Sequence, residues 1–277
     1  MINLGISSLG FLIELGLLNK YDNLFDLLYY STKTCLETAE EKKIKIVELV
    51  MDPPEILNKI NKTKFIELVN SYSIKKQVHG PFVDVSLCSH NKIISEASIK
   101  AYIETMKICK SINSKMMTIH PGLINFLNPS MRKHNIEQLK HAIHQLLDFS
   151  SSMKIRICLE NMPKQTGIML DENDIEDIFS IINDAELFLT YDTSHFYTVD
   201  GNVEILWKKF HDKIKNIHLV DNFSKESDTH PQLGKGKINF KEIFYTIQKY
   251  NYKGPLIIEL SSIKDLENSL NYINKIL

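Results

Sequence analysis

Short apolar runs alternate with longer segments of helical periodicity along nearly the whole chain, and this alternation predicts its architecture. The runs cover residues 2–6, 44–50, 76–79, 115–120, 154–160, 186–192, 213–220 and 255–260, and several open on Lys or Glu before turning wholly apolar. Continuous apolar character of this kind marks parallel strands covered on both faces. Between them, helical spacing runs over 22–42, 62–73, 95–112, 132–152, 172–183, 203–210, 240–250 and 263–276. In the third of these, Ile99, Ile103, Met106 and Lys110 recur at helical spacing, with Ser95 as the expected cap. Eight strand–helix units without a linker, low-complexity tract or short repeat predict one domain over 1–277, a closed (β/α)8 barrel.

Composition then narrows the function classes. Lys+Arg of 33 against Asp+Glu of 34 leaves a formal charge of -1, so no global basic field advertises nucleic acid or an anionic membrane; a local patch stays open. Cys35, Cys88, Cys109 and Cys158 are scattered without C-x-x-C spacing, which argues against a disulfide framework and against a thiolate metal site. The opening MINLGISSLG lacks a signal peptide's basic region, and no apolar run approaches the roughly 20 residues of a membrane span. A soluble, cytoplasmic protein is expected.

Chemistry in a (β/α)8 barrel gathers at the C-terminal strand ends, and ionisable residues recur there. His79 closes QVH, His120 closes MMTIH, Glu160 closes ICLE, Asp192 closes LTYD, His218 closes NIH and Glu259 closes LIIE. His195, Asp228 and His230 follow just beyond, the last two as a D-x-H pair. Imidazole nitrogen and carboxylate oxygen are what Zn2+ or Mn2+ accepts. Any one of these taken alone, such as His79, reads better as a satisfied structural histidine. Six consecutive strands ending this way do not, because burying so many ionisable groups without a partner is very costly. Phe82 is a candidate for stacking on a substrate, Glu48 is taken as an acidic contact at the end of the second strand, and Lys235 and Lys237 are candidate phosphate contacts. Gly234 and Gly236 read as positions of positive φ, and Trp207 as packing.

With these residues in view, the chain resembles the xylose isomerase-like TIM-barrel superfamily from about its second strand to its eighth. That group holds sugar isomerases and epimerases as well as endonuclease IV-type enzymes (AP endonuclease family 2). In the isomerase branch the resemblance implies one divalent cation, Mn2+, Mg2+ or Co2+, on Glu160, Asp192, His218 and Glu259, with Glu160 and Glu259 also acting as the acid/base pair. In the endonuclease branch it implies three zinc ions. His79, His120 and Glu160 would hold the first, Glu160, Asp192, His218 and Glu259 the second, and His195, Asp228 and His230 the third. The segments GISSLGF and VELVMDPPEIL depart from the endonuclease pattern, and QLGKGKINF fits the sugar-isomerase group. A metal-dependent sugar or sugar-phosphate isomerase or epimerase holding more than one ion is therefore placed first, with a small sugar-like partner and with His195 and the two lysines orienting it. A zinc phosphodiesterase acting on abasic DNA is second, and a non-catalytic sugar-binding scaffold third.

Overall fold

Extended backbone forms where apolar runs can be covered on both sides, and eight such strands pair in parallel in chain order. A computed structural model describes residues 3–124 and 128–276. Its strands are β1 (Asn3–Ser7), β2 (Ile46–Val50), β3 (Lys75–His79), β4 (Met116–Ile119), β5 (Arg156–Glu160), β6 (Leu187–Asp192), β7 (Ile214–Leu219) and β8 (Pro255–Ile258). The sheet closes on itself, with Asn3 to Ile6 of β1 in register with Pro255 to Ile258 of β8. Ile2, expected to open the first strand, lies outside the described residues.

Around the barrel lie α1 (Leu9–Leu17), α2 (Leu24–Glu41), α3 (Lys59–Asn70), α4 (Lys92–Ser111), α5 (Arg132–Met153), α6 (Glu172–Ile182), α7 (Thr193–Thr198), α8 (Val203–Phe210), α9 (Phe240–Lys249) and α10 (Leu266–Ile276). Asn and Asp side chains start most of them: Asn23, Asn58, Asn91, Asp171, Asn202 and Asn239 each accept a backbone N–H of the first turn. Ser95 is not the cap expected of it. Asn91 opens α4 one turn earlier, and the buried Ser95 hydroxyl donates to the Leu87 carbonyl at 2.8 Å. Two helices, α1 and α7, lie outside the expected set. In α1 the apolar residues fall on both faces, leaving Leu17 81% exposed, so no stripe marks it. Six residues of α7 are too few to show a period.

The opposite, N-terminal end of the barrel carries a basic rim. Lys75, Lys76, Lys115, Arg156, Lys215 and Lys253 line one cleft of about 450 Å³ in which Asp212 is the single acid among the described residues, while Lys115 and Arg156 also border a second cleft that holds Asp148, Asp184 and Glu186. Helix C-termini point to this end, and their partial negative charge favours cations there. Among the described residues no helix is long and apolar enough to cross a membrane.

Candidate active site

Residues two apart on a strand share a face, so each rim residue stands above an interior residue of its own strand. Beneath His79, His120, Asp192 and His218 these are Gln77, Thr118, Thr190 and Asn216, all buried and all polar. They interlock with Glu48 of β2. Gln77 Nε2 donates to Glu48 Oε2 at 2.6 Å and to Asn216 Oδ1 at 3.0 Å. Asn216 Nδ2 donates to Glu48 Oε2 at 3.0 Å and to Thr118 Oγ1 at 3.1 Å, and the Thr118 and Thr190 hydroxyls meet at 3.0 Å. Sequence reasoning missed this layer, although the period of two from each rim residue points to it.

On this platform the nine candidate ligands come together. Glu160 joins them: its Oε2 is 2.8 Å from His120 Nε2 and 3.4 Å from His79 Nε2, while Oε1 is 2.9 Å from His218 Nδ1. His218 Nδ1 also faces Glu259 Oε2 at 3.3 Å and Asp192 Oδ2 at 3.8 Å. A further group forms where Asp228 Oδ2 lies 3.1 Å from His195 Nε2 and 2.8 Å from His230 Nε2. In the triads His79–His120–Glu160, Asp192–His218–Glu259 and His195–Asp228–His230, one ligand atom from each residue lies within 4.8 Å of the others.

Neighbouring groups orient each ring. His79 Nδ1–H donates to the Gly80 carbonyl and His195 Nδ1–H to the Asn161 carbonyl, both at 2.8 Å, which turns each Nε2 toward its carboxylate. His218 is held the other way round, with Nε2 2.8 Å from Glu48 Oε1 and Nδ1 toward the cluster. An outer carboxylate on the second imidazole nitrogen is the usual support of a metal-binding histidine. Asp192 divides its oxygens: Oδ1 accepts the His195 N–H at 2.7 Å and so starts α7, while buried Oδ2 has no hydrogen-bond partner. Asn161, also missed from sequence, clamps the ends of β5 and β6 by donating to the Asp192 carbonyl at 3.1 Å and accepting its N–H at 2.7 Å.

Burial opposes charge on the histidines and on Asp192, and the balance with neighbouring charges differs between them: burial keeps His120 below its usual range despite Glu160. Burial alone would lower His79, but Glu160, Glu48 and Glu259 raise it to about 9. His218, against the same burial, is held well above its usual range by Glu48 and Glu160, and His195 by Asp192 and Asp228. Burial, added to by Glu160 and Asp228 and opposed by His195, pushes Asp192 up to about 7. A cation matches this donor set of imidazoles and carboxylates, and the partnerless Asp192 Oδ2 is an acceptor awaiting one. The residues present therefore fit a divalent ion.

The four expected substrate contacts separate. Glu48 is in the middle of β2 and fully buried beneath His218, not at the rim, so its expected contact with substrate is corrected to an orienting one. Phe82 is at the mouth, its ring 5.4 Å from that of His79 and 5.9 Å from that of His120. Lys235 and Lys237 are exposed on the loop after β7, and the cleft that Lys237 lines contains none of the nine ligands. In that loop Gly234 has the expected positive φ of +85, whereas Gly236 is required for space: a Cβ there would lie 2.1 Å from Asp221 Oδ1.

A family model described as xylose isomerase-like TIM barrel matches residues 36–276. An uncharacterized protein of Methanocaldococcus jannaschii is 31% identical over 242 residues, covering 87% of this chain and 92% of that protein. The probable endonuclease 4 of Aquifex aeolicus is 23% identical over 79% of this chain and 80% of its own length. Among solved structures, a D-tagatose 3-epimerase-like protein superposes with a TM-score of 0.82 at 23% identity, covering 99% of this chain and 97% of that one.

Proposed function

Because the chain belongs to the xylose isomerase-like TIM-barrel family, we propose that it is a divalent-metal-dependent isomerase or epimerase of a small sugar-like substrate. One observation carries this reading: Glu160 and Glu259 come within 2.9 and 3.3 Å of the same His218 nitrogen, so two buried carboxylates serve one small volume. A divalent cation on Glu160, Asp192, His218 and Glu259 supplies, when bound, polarisation of a substrate carbonyl and its neighbouring hydroxyl. One glutamate then removes the proton from the carbon next to that carbonyl. The other returns a proton, to the same carbon in an epimerisation or to its neighbour in an isomerisation. Asp192 and Glu48 keep His195 and His218 oriented throughout. Phe82 covers the His79 side and limits water.

The His195–Asp228–His230 triad favours the second reading, a zinc phosphodiesterase acting at abasic DNA, as does the resemblance to the probable endonuclease 4. Against it stands the scarcity of free cations at the mouth for a phosphate backbone: Lys164 and Lys225 are paired with Glu226 and Asp200, which leaves Lys235 and Lys237 on the loop after β7. The chain has two arginines. Arg132 is paired with Asp174, and Arg156 opens β5 at the far end of the barrel.

Two assays on one preparation separate the readings. Ketoses, aldoses and their phosphates with Mn2+ or Co2+ should interconvert, and Glu259→Gln should abolish turnover without changing the melting temperature. An abasic-site duplex with Zn2+-loaded protein should stay intact. Metal-dependent incision with no sugar turned over would overturn the proposal in favour of the nuclease. Elemental analysis after Zn2+ or Mn2+ loading should return more than one equivalent of metal; one or fewer would reduce the Asp228–His230 pair to substrate contacts.

A further inference from the structure

Beside the ligand cluster, above β2 and β3, the mouth continues into a groove of about 590 Å³, within the size range of small-molecule sites. Leu12 of α1, Leu24 of α2, Pro53 from the loop after β2, Phe82 and Val83 from the loop after β3, and Ile94 of α4 supply its apolar walls. Leu24, Val83 and Ile94 are 58%, 55% and 43% exposed, a grouping that soluble surfaces rarely leave without an occupant. Among the described residues no lysine or arginine lines the groove, and its ionisable groups are the acids Asp52, Glu55 and Asp84. The groove is also preset. Asp52 Oδ2 accepts the N–H groups of Phe82 and Val83 at 3.0 and 2.8 Å, which fixes the loop that carries both.

Phe82 makes the groove continuous with the site, since it lines the one and packs its ring against His79 and His120 of the other. A phosphate here would meet three carboxylates and no cation. A neutral apolar group would cover exposed Leu, Val and Ile side chains at no electrostatic cost. We propose that the substrate carries an aryl or alkyl substituent and that this groove seats it while the sugar portion reaches the carboxylates. The inference rests on the sugar reading above and narrows it to an apolar-substituted sugar.

Calorimetric titration of the full-length, Mn2+-loaded protein tests this with the 6-O-methyl and 6-O-phenyl ethers of D-fructose, D-tagatose and D-sorbose, and D-fructose 6-phosphate, all of which keep a carbonyl beside a hydroxyl. The phenyl member of at least one pair should bind about tenfold tighter than its methyl partner, the lower end of what burying one aromatic ring provides. The phosphate should gain nothing over 6-O-methyl-D-fructose. Ala97→Phe, at an exposed α4 position in the groove wall, should remove the phenyl gain and leave the affinity of the methyl ethers unchanged. Equal affinities within every pair, or a gain that survives Ala97→Phe, overturn the groove proposal while the sugar site stands. If none of these ethers binds while free sugars are turned over, the groove proposal falls and the sugar reading stands; if there is neither binding nor turnover, both fall. A concentration-dependent dimer in sedimentation, abolished by Ala97→Phe, would assign the groove to a second copy of the chain and overturn the proposal as well.

Discussion

Glu48 commits its two oxygens to different tasks, Oε1 to His218 and Oε2 to the amides of Gln77 and Asn216. Glu48→Gln keeps the shape but turns an amide donor toward two donors. It should cost about 1–3 kcal/mol of stability, the penalty of unmatched buried polar groups. It should also weaken binding of the proposed ion at His218 about 10- to 100-fold, as loss of an outer-sphere carboxylate does, and leave any binding at His195, Asp228 and His230 unchanged. Urea denaturation and competition against a zinc indicator would measure the two effects. The thiols give a second expectation. Burial pushes Cys88 up to about 11 and Cys109 and Cys158 up to about 12, with Cys35 raised further. At pH 8 about one Cys88 in a thousand is thiolate, so a disulfide reagent should label native protein slowly and urea-unfolded protein at once. The rim residues were legible in sequence because each is an ionisable group ending an apolar run. Glu48 was misread as a rim residue: in a strand that ends at Val50, as expected, it sits two residues short of the end and lies in the barrel interior.

The loop between β7 and α9 shows what local pattern does and does not reveal. Its glycines were legible as a turn, but the reason for the second emerges only from Asp221, whose carboxylate accepts the N–H groups of Gly234 and Gly236 at 2.8 Å and that of Ile238 at 3.3 Å. Gly236→Ala would drive a methyl into that carboxylate and leave part-buried N–H groups unpaired. A loss of about 1–3 kcal/mol in chemical denaturation is expected, together with weakened metal binding at Asp228 and His230, which the same loop carries. An unchanged denaturation midpoint would show that the turn can shift to admit the methyl. Strands and long helices were readable because two-sided burial and helical periodicity leave their mark on composition. The helix α1 was not, having apolar residues all round, and α7 was not, since it is a single short stretch organised by the Asp192 side chain.

Closure of eight parallel strands follows from counting strand–helix units, since each unit can bury its apolar face only against the next. Total charge, by contrast, concealed a division that only the folded arrangement brings out: carboxylates and imidazoles at one end of the barrel, lysines and Arg156 at the other. That basic rim bears on how any DNA experiment with this protein is to be interpreted. At low salt, lysines that outnumber the acids of their cleft retain duplex DNA through counterion release alone, whatever its sequence and whether or not it holds a lesion. A gel shift is therefore expected with intact and abasic duplexes alike. It should survive Glu160→Gln at the mouth, fade with added salt, and disappear with Lys115→Glu and Lys215→Glu together. Retention of DNA would then report on the far end of the molecule, and only strand cleavage would report on the site.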